Sequence, residues 1–134
     1  MRGKMIAVAA LLGATVPAQA QPVMSEGQVA LHAEMWAMAG ICGQFSQYNV
    51  RERRLADYLN ATMARLDPEQ QDALVNGRSA RQQAISARVA QANATAAGPR
   101  RSQAQEANTE ELMTRCQQLV RDDLAGEYFQ TRRN

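Results

Sequence analysis

Lysine is nearly missing from this chain, since Lys4 is the only copy and every other basic residue is arginine. Histidine occurs once, at His32, and cysteine occurs twice. A zinc site with four Cys or His ligands is therefore excluded. A Ser-His-acid triad would depend on His32 alone, and no glycine-rich phosphate loop occurs. We accordingly predict a protein that is not an enzyme and carries no cofactor.

Long apolar runs are also lacking, apart from one near the start, over residues 5–16. That run is too short for a membrane span, which needs about 20 apolar residues. Arg2 and Lys4 precede it, and Ala18 and Ala20 follow it in the pattern that a signal peptidase cuts. Residues 1–20 are thus predicted to be a cleaved signal peptide, and the alternative is an uncleaved N-terminal anchor. Cleavage predicts a bacterial periplasmic or secreted protein with no stable membrane insertion afterwards.

The predicted mature chain, residues 21–134, is expected to form a single domain. Cleavage removes Arg2 and Lys4, which together account for the formal net charge of +2. A neutral mature protein gives no general case for binding nucleic acid. Arginine is concentrated in residues 51–101, whereas acidic residues prevail in the segments on either side. This distribution suits helices that pack antiparallel.

Cys42 and Cys116 both remain after the predicted cleavage. An even pair of cysteines in an oxidising compartment predicts a disulfide. The alternative is a redox or metal role, which the absence of a Cys-x-x-Cys pair disfavours.

Four capping-box patterns predict the starts of four helices, because each pairs a side-chain acceptor with a Glu or Gln three residues later. The pairs are Ser25 and Gln28, Asn49 and Glu52, Asp67 and Gln70, and Asn108 and Glu111. Apolar residues follow at helical spacing, and no segment alternates as a strand would. The predicted helices cover residues 26–47, 50–66, 68–95 and 109–131, with a linker over 96–107. We therefore predict an all-α antiparallel bundle of about four helices, in which the disulfide links the first and last.

Arginine clusters are the candidate contacts for a partner. Arg51, Arg53 and Arg54 lie at the start of the second helix, where positive charge opposes the helix dipole. The alternative is a solvated face that pairs with Asp122 and Asp123.

Arg78 and Arg81 are further candidates, on a third helix that is poor in large apolar residues. They share a helix face with apolar residues. Charged and apolar side chains on one face are compatible if the helix breaks at Gly77, or if the aliphatic stems of the arginines lie along the apolar surface.

The leading functional prediction is an exported protein that acts by binding a periplasmic or envelope protein, as an accessory subunit, inhibitor or chaperone-like binder. The alternative is a bundle that binds a small ligand, metal or haem through His32 and core methionines such as Met35. Around the helix axis, Met35 lies about 60° from His32 and Met38 about 120° from it, so one ion cannot easily contact all three side chains. A third hypothesis is an envelope stress protein that opens under reducing or acidic conditions.

Overall fold

Four helices and a short two-stranded ribbon form the fold, which was obtained as a computed structural model that describes residues 24–95 and 97–133. The predicted signal peptide lies outside these residues. The elements are α1 (Glu26–Cys42), β1 (Tyr48–Val50), α2 (Glu52–Arg65), α3 (Pro68–Ala94), α4 (Pro99–Arg121), a 3-10 turn (Ala125–Glu127) and β2 (Phe129–Thr131). The predicted four-helix, all-α class is confirmed. Within the described ranges no helix is long and apolar enough to cross a membrane.

Two of the four predicted helix starts are confirmed. The Ser25 side chain accepts the amide of Gln28, whose own side chain accepts the amide of Ser25. At α3, Asp67 accepts the amide of Gln70 at 2.8 Å, and Pro68 occupies the first turn. Proline is tolerated there because its missing N–H would have no partner inside the helix.

The other two predicted starts are wrong. Asn49 lies in β1, and α2 is capped by Arg51 without a side-chain hydrogen bond. The predicted linker over 96–107 and the start near Asn108 are also wrong, because α4 begins at Pro99. Gly98 has φ of 111°, a conformation that glycine adopts without the strain of a Cβ. It turns the chain tightly, and the polar residues after Pro99 continue as helix.

The predicted ends of the first and last helices are wrong, because both helices end before the ribbon begins. α1 ends at Cys42 rather than at 47, and α4 ends at Arg121 rather than at 131. The chain beyond α4 forms the 3-10 turn and returns as β2, antiparallel to β1, with Asn49 opposite Gln130. Strands of three residues are too short to produce a recognisable alternating pattern.

The disulfide lies in the main core. Cys42 and Cys116 are bonded, with 5.7 Å between their Cα atoms, and both are fully buried. This confirms the predicted link between the first and last helices. Around the bond pack apolar side chains from every helix and both strands: Met35, Met38, Tyr48, Leu55, Leu59, Ile85, Leu119 and Phe129.

Neighbouring helices are tied by polar contacts that show their directions. The α3 and α4 helices run antiparallel, with Arg88 paired to Glu111 and the Gln105 amide donating to Asn93. The α1 and α3 helices run in the same direction, since Gln70 Nε2 donates to the Met24 carbonyl at 2.6 Å and Arg81 reaches Glu34 further along.

Gly77 does not break α3, although a break was one of the two outcomes that its sequence allowed. It lies at the close approach to α1, where a Cβ built on Gly77 would come within 3.1 Å of the Ala33 Cβ. The glycine therefore allows the two helices to approach closely.

Replacing Gly77 with valine is expected to destabilise the protein by about 1–3 kcal/mol, because a larger side chain overpacks the contact with Ala33. Urea unfolding followed by circular dichroism measures this loss. Gly40→Val is the matched control, because it makes the same change of residue in α1 at an exposed position where a built Cβ has nothing within 4 Å. Equal losses in the two variants would contradict a packing role for Gly77.

Candidate functional site

A groove of about 630 Å³ lies where β2 meets the end of α4. It contains three arginines, Arg51, Arg132 and Arg133, and we call it the arginine groove. The remaining lining residues are uncharged: Asn49, Val120, Gly126, Phe129, Gln130 and Thr131. As far as the structure describes its lining, the groove is thus a cationic cleft without a carboxylate.

Pairing of β1 with β2 brings these arginines together from distant parts of the chain. The Arg51 amide donates to the Tyr128 carbonyl at 2.8 Å, and the Arg132 amide donates to the Gln47 carbonyl at 2.8 Å. Their backbones are therefore held at the two ends of the ribbon. Arg133 follows directly and also lines the groove.

The guanidinium groups of the groove are available to a ligand. All three arginines are exposed, and in the described part of the chain none of them makes an ion pair. A guanidinium presents a planar set of donors that fits a carboxylate in a bidentate geometry. Several of them in one cleft therefore favour a ligand that carries more than one carboxylate.

The predicted cluster at the start of α2 contributes only in part. Arg51 lines the groove, whereas Arg53 and Arg54 are exposed and lie outside its lining. Arg54 is near Tyr128, whose hydroxyl pKa is raised by burial and by Glu127, against a lowering by Arg54. Because a tyrosine hydroxyl is already neutral at physiological pH with its ordinary pKa, this shift does not change the charge of Tyr128 there.

Asp122 and Asp123 are the acidic residues that the alternative interpretation pairs with the arginines at the start of α2. The Asp122 carboxylate accepts the amides of Leu124 and Ala125, both at 2.9 Å, and so caps the turn after α4. Among the described residues, no ion pair joins Asp122 or Asp123 to an arginine of the α2 start.

Arg78 and Arg81 are partly buried and make contacts within the bundle. The Arg78 guanidinium lies over the Trp36 ring, 4.1 Å from its centroid. Arg81 donates through Nε to Glu34 at 2.9 Å. With the helix unbroken at Gly77, the Arg78 head group packs on an aromatic ring and Arg81 pairs with Glu34. Their engagement within the fold removes them from the set of partner contacts that we propose.

His32 is held by two protein hydrogen bonds. Its Nδ1 is 2.6 Å from the Gln28 carbonyl and its Nε2 is 2.8 Å from the Tyr58 hydroxyl. Because a carbonyl only accepts, Nδ1 carries the proton and Nε2 accepts from Tyr58 in the neutral ring. Neither nitrogen has a free lone pair for a metal, and Met35 is fully buried. Among residues 24–95 and 97–133, no cluster of His, Cys, Asp and Glu suits a metal ion.

Sequence reasoning missed Arg132 and Arg133, which it did not consider as site residues. The signal available was an adjacent arginine pair after an aromatic pair, Tyr128 and Phe129, close to the end of the chain. Their meeting with Arg51 depends on strand pairing, which the sequence did not indicate.

Comparison with known proteins identifies no relative of this chain. No family model matches the chain, and no curated protein or solved structure matches it significantly. A functional assignment therefore depends on the residues of this chain alone.

Proposed function

We propose that this chain is an exported, non-enzymatic binding protein that holds an acidic segment of a periplasmic or envelope protein in its arginine groove. The observation that carries the proposal is the meeting of Arg51, Arg132 and Arg133 in a cleft whose described lining residues include no carboxylate. Uncompensated charge on one face attracts a partner of opposite charge and speeds its association.

A protein segment fits the groove better than a nucleic acid does. Residues 21–134 contain as many arginines as acidic residues, so their formal net charge is zero. The electrostatic attraction of nucleic acid to the surface outside the arginine groove is therefore weak. The polar lining, with Asn49, Gln130 and Thr131, offers amide and hydroxyl groups that can bond to a peptide backbone.

Export is supported by the disulfide and by the signal-like first 20 residues. Disulfides persist in oxidising compartments and are rare in the reducing cytosol. A buried Cys42–Cys116 bond is therefore what a periplasmic protein is expected to carry.

Reversing the charge of the arginine groove should strongly weaken the binding of acidic ligands. We expect the double variant Arg51→Glu, Arg132→Glu to bind fluorescent polyglutamate at least tenfold more weakly than the parent protein, because two attractive contacts become repulsive. Fluorescence anisotropy at low ionic strength measures the affinity. The affinity of the parent protein should fall steeply as salt is added, since salt screens exposed charges.

The control variant is Arg65→Glu, Arg100→Glu, which makes the same change in net charge at exposed arginines outside the groove. It should retain most of the affinity. Equal losses in both double variants would mean that net charge, not the groove, draws the probe. If the protein prefers polyphosphate to polyglutamate, the ligand of the arginine groove is a phosphorylated molecule and not an acidic protein segment.

A further inference from the structure

A second groove, of about 660 Å³, lies between the first half of α1 and the first half of α3, and we call it the acidic groove. Its floor is apolar and consists of small or flexible side chains: Met24, Val29, Ala30, Ala33, Ala73 and Gly77. Three carboxylates, Glu26, Asp67 and Glu69, lie in the lining at the end where both helices begin, and the other lining residues are Ser25, Gln70 and Arg81.

Two carboxylates of the acidic groove, Glu26 and Glu69, have acceptors that no ion pair of the described residues uses. Asp67 caps α3, but neither Glu26 nor Glu69 makes an ion pair within the described ranges. Arg81 is the one cation of the lining, and Glu34 already holds it. The Gln70 Oε1 atom has no hydrogen-bond donor among the described residues but is itself closed to solvent, while its Nε2 is fixed on the Met24 carbonyl. The groove therefore offers acceptors to a ligand that brings donors.

An arginine side chain has the two properties that this groove requires. Its three-carbon stem covers apolar surface, and its guanidinium supplies five N–H donors. We propose that the acidic groove binds the arginine groove of a second copy of this chain, with Arg132 and Arg133 of that copy inserted between α1 and α3. This inference rests on the same arginines as the proposed function, and it names a competitor for the acidic partner.

Both complementary surfaces belong to one molecule, at opposite ends of α1. The acidic groove lies at the start of α1, and the ribbon that carries the arginine groove follows its C-terminal end. The 17 residues of α1 span about 25 Å. Contacts between unlike surfaces of successive copies are head-to-tail and extend into rings or chains. An acidic partner that occupies the arginine groove would release copies from such assemblies.

A charge-swap experiment tests the inference by sedimentation velocity. One variant carries Glu26→Arg and Glu69→Arg, and the other carries Arg51→Glu and Arg132→Glu. The parent protein should sediment as concentration-dependent oligomers at low salt and as a monomer at about 1 M salt, where the Debye length is near 3 Å. Each variant alone should remain monomeric. An equimolar mixture should associate, because each surface then meets one of opposite charge.

Monomers in the mixture, or a parent protein that stays monomeric at all concentrations, would overturn the inference. The control variant Glu106→Arg, Glu110→Arg reverses two exposed carboxylates on α4 and should still self-associate. Association that requires residues 21–23 would instead identify that segment as the contact. The polyglutamate assay on the parent protein keeps the two proposals apart. If the parent protein binds polyglutamate through its arginine groove while the charge-swap mixture stays monomeric, only the second-copy inference fails.

Discussion

Replacing both Cys42 and Cys116 with alanine is expected to lower the melting temperature by roughly 15–25 °C. Their bond closes a loop of 74 positions, and chain entropy assigns about 4 kcal/mol to a loop of this length. For a domain of this size, each kcal/mol corresponds to about 4–6 °C. Differential scanning calorimetry of the parent protein and the double variant measures the difference.

Adding reductant to the parent protein separates the crosslink from the packing around it. The reduced parent keeps both sulfur atoms, so it loses only the constraint on the unfolded chain. The alanine variant also loses the contacts of two fully buried side chains and should melt lower still. A melting temperature that reductant leaves unchanged would contradict the role assigned to the bond.

The rate at which a reductant breaks the disulfide tests the hypothesis of a stress protein that opens under reducing conditions. Both sulfur-bearing residues are fully buried, and the bond joins the end of α1 to α4 in the main core. A reductant therefore reaches the bond only after local opening. Rapid reduction of the native protein at 25 °C would support the hypothesis.

Features encoded by neighbouring residues were predictable from the sequence. Ser25 and Gln28, or Asp67 and Gln70, lie one helical turn apart, so their capping contacts form before any tertiary packing is needed. The disulfide was predictable for a different reason. The chain has only two cysteines, and the compartment deduced from residues 1–20 favours their oxidation.

Features that depend on distant residues were not predictable. β1 and β2 have three residues each and lie about 80 positions apart, so the stability of their pairing comes from the core beneath Tyr48 and Phe129. The arginine groove depends on that pairing. The start of α4 was missed for another reason, because Gly98 and Pro99 were interpreted as a linker although together they begin a helix.

Glu34 is the second large determinant of stability that we predict. Arg115 donates to both of its oxygens, from Nε at 2.7 Å and from Nη2 at 2.8 Å, and Arg81 donates from Nε at 2.9 Å. One carboxylate thus joins α1 to α3 and α4. Its side chain is 20% exposed, so water screens the cluster only in part.

Glu34→Ala should lower the free energy of unfolding by about 2–4 kcal/mol, because it leaves two partly buried guanidinium groups without their anion. This is less than the loss for a fully buried ion pair, since the cluster retains some contact with water. Urea unfolding measures the change. Glu106→Ala, at an exposed position in α4, is the control and should stay within about 0.5 kcal/mol of the parent. A similarly small change for Glu34→Ala would place the cluster among ordinary surface ion pairs.

Substitution by lysine tests whether geometry or charge alone makes the Glu34 cluster stable. Lysine keeps the charge but cannot form two parallel hydrogen bonds with one carboxylate. Arg115→Lys should therefore lose more stability than Arg81→Lys, because Arg115 is bidentate and Arg81 makes one bond to Glu34. Equal losses would show that charge suffices. The predicted order would instead give a physical reason for arginine, rather than lysine, at position 115.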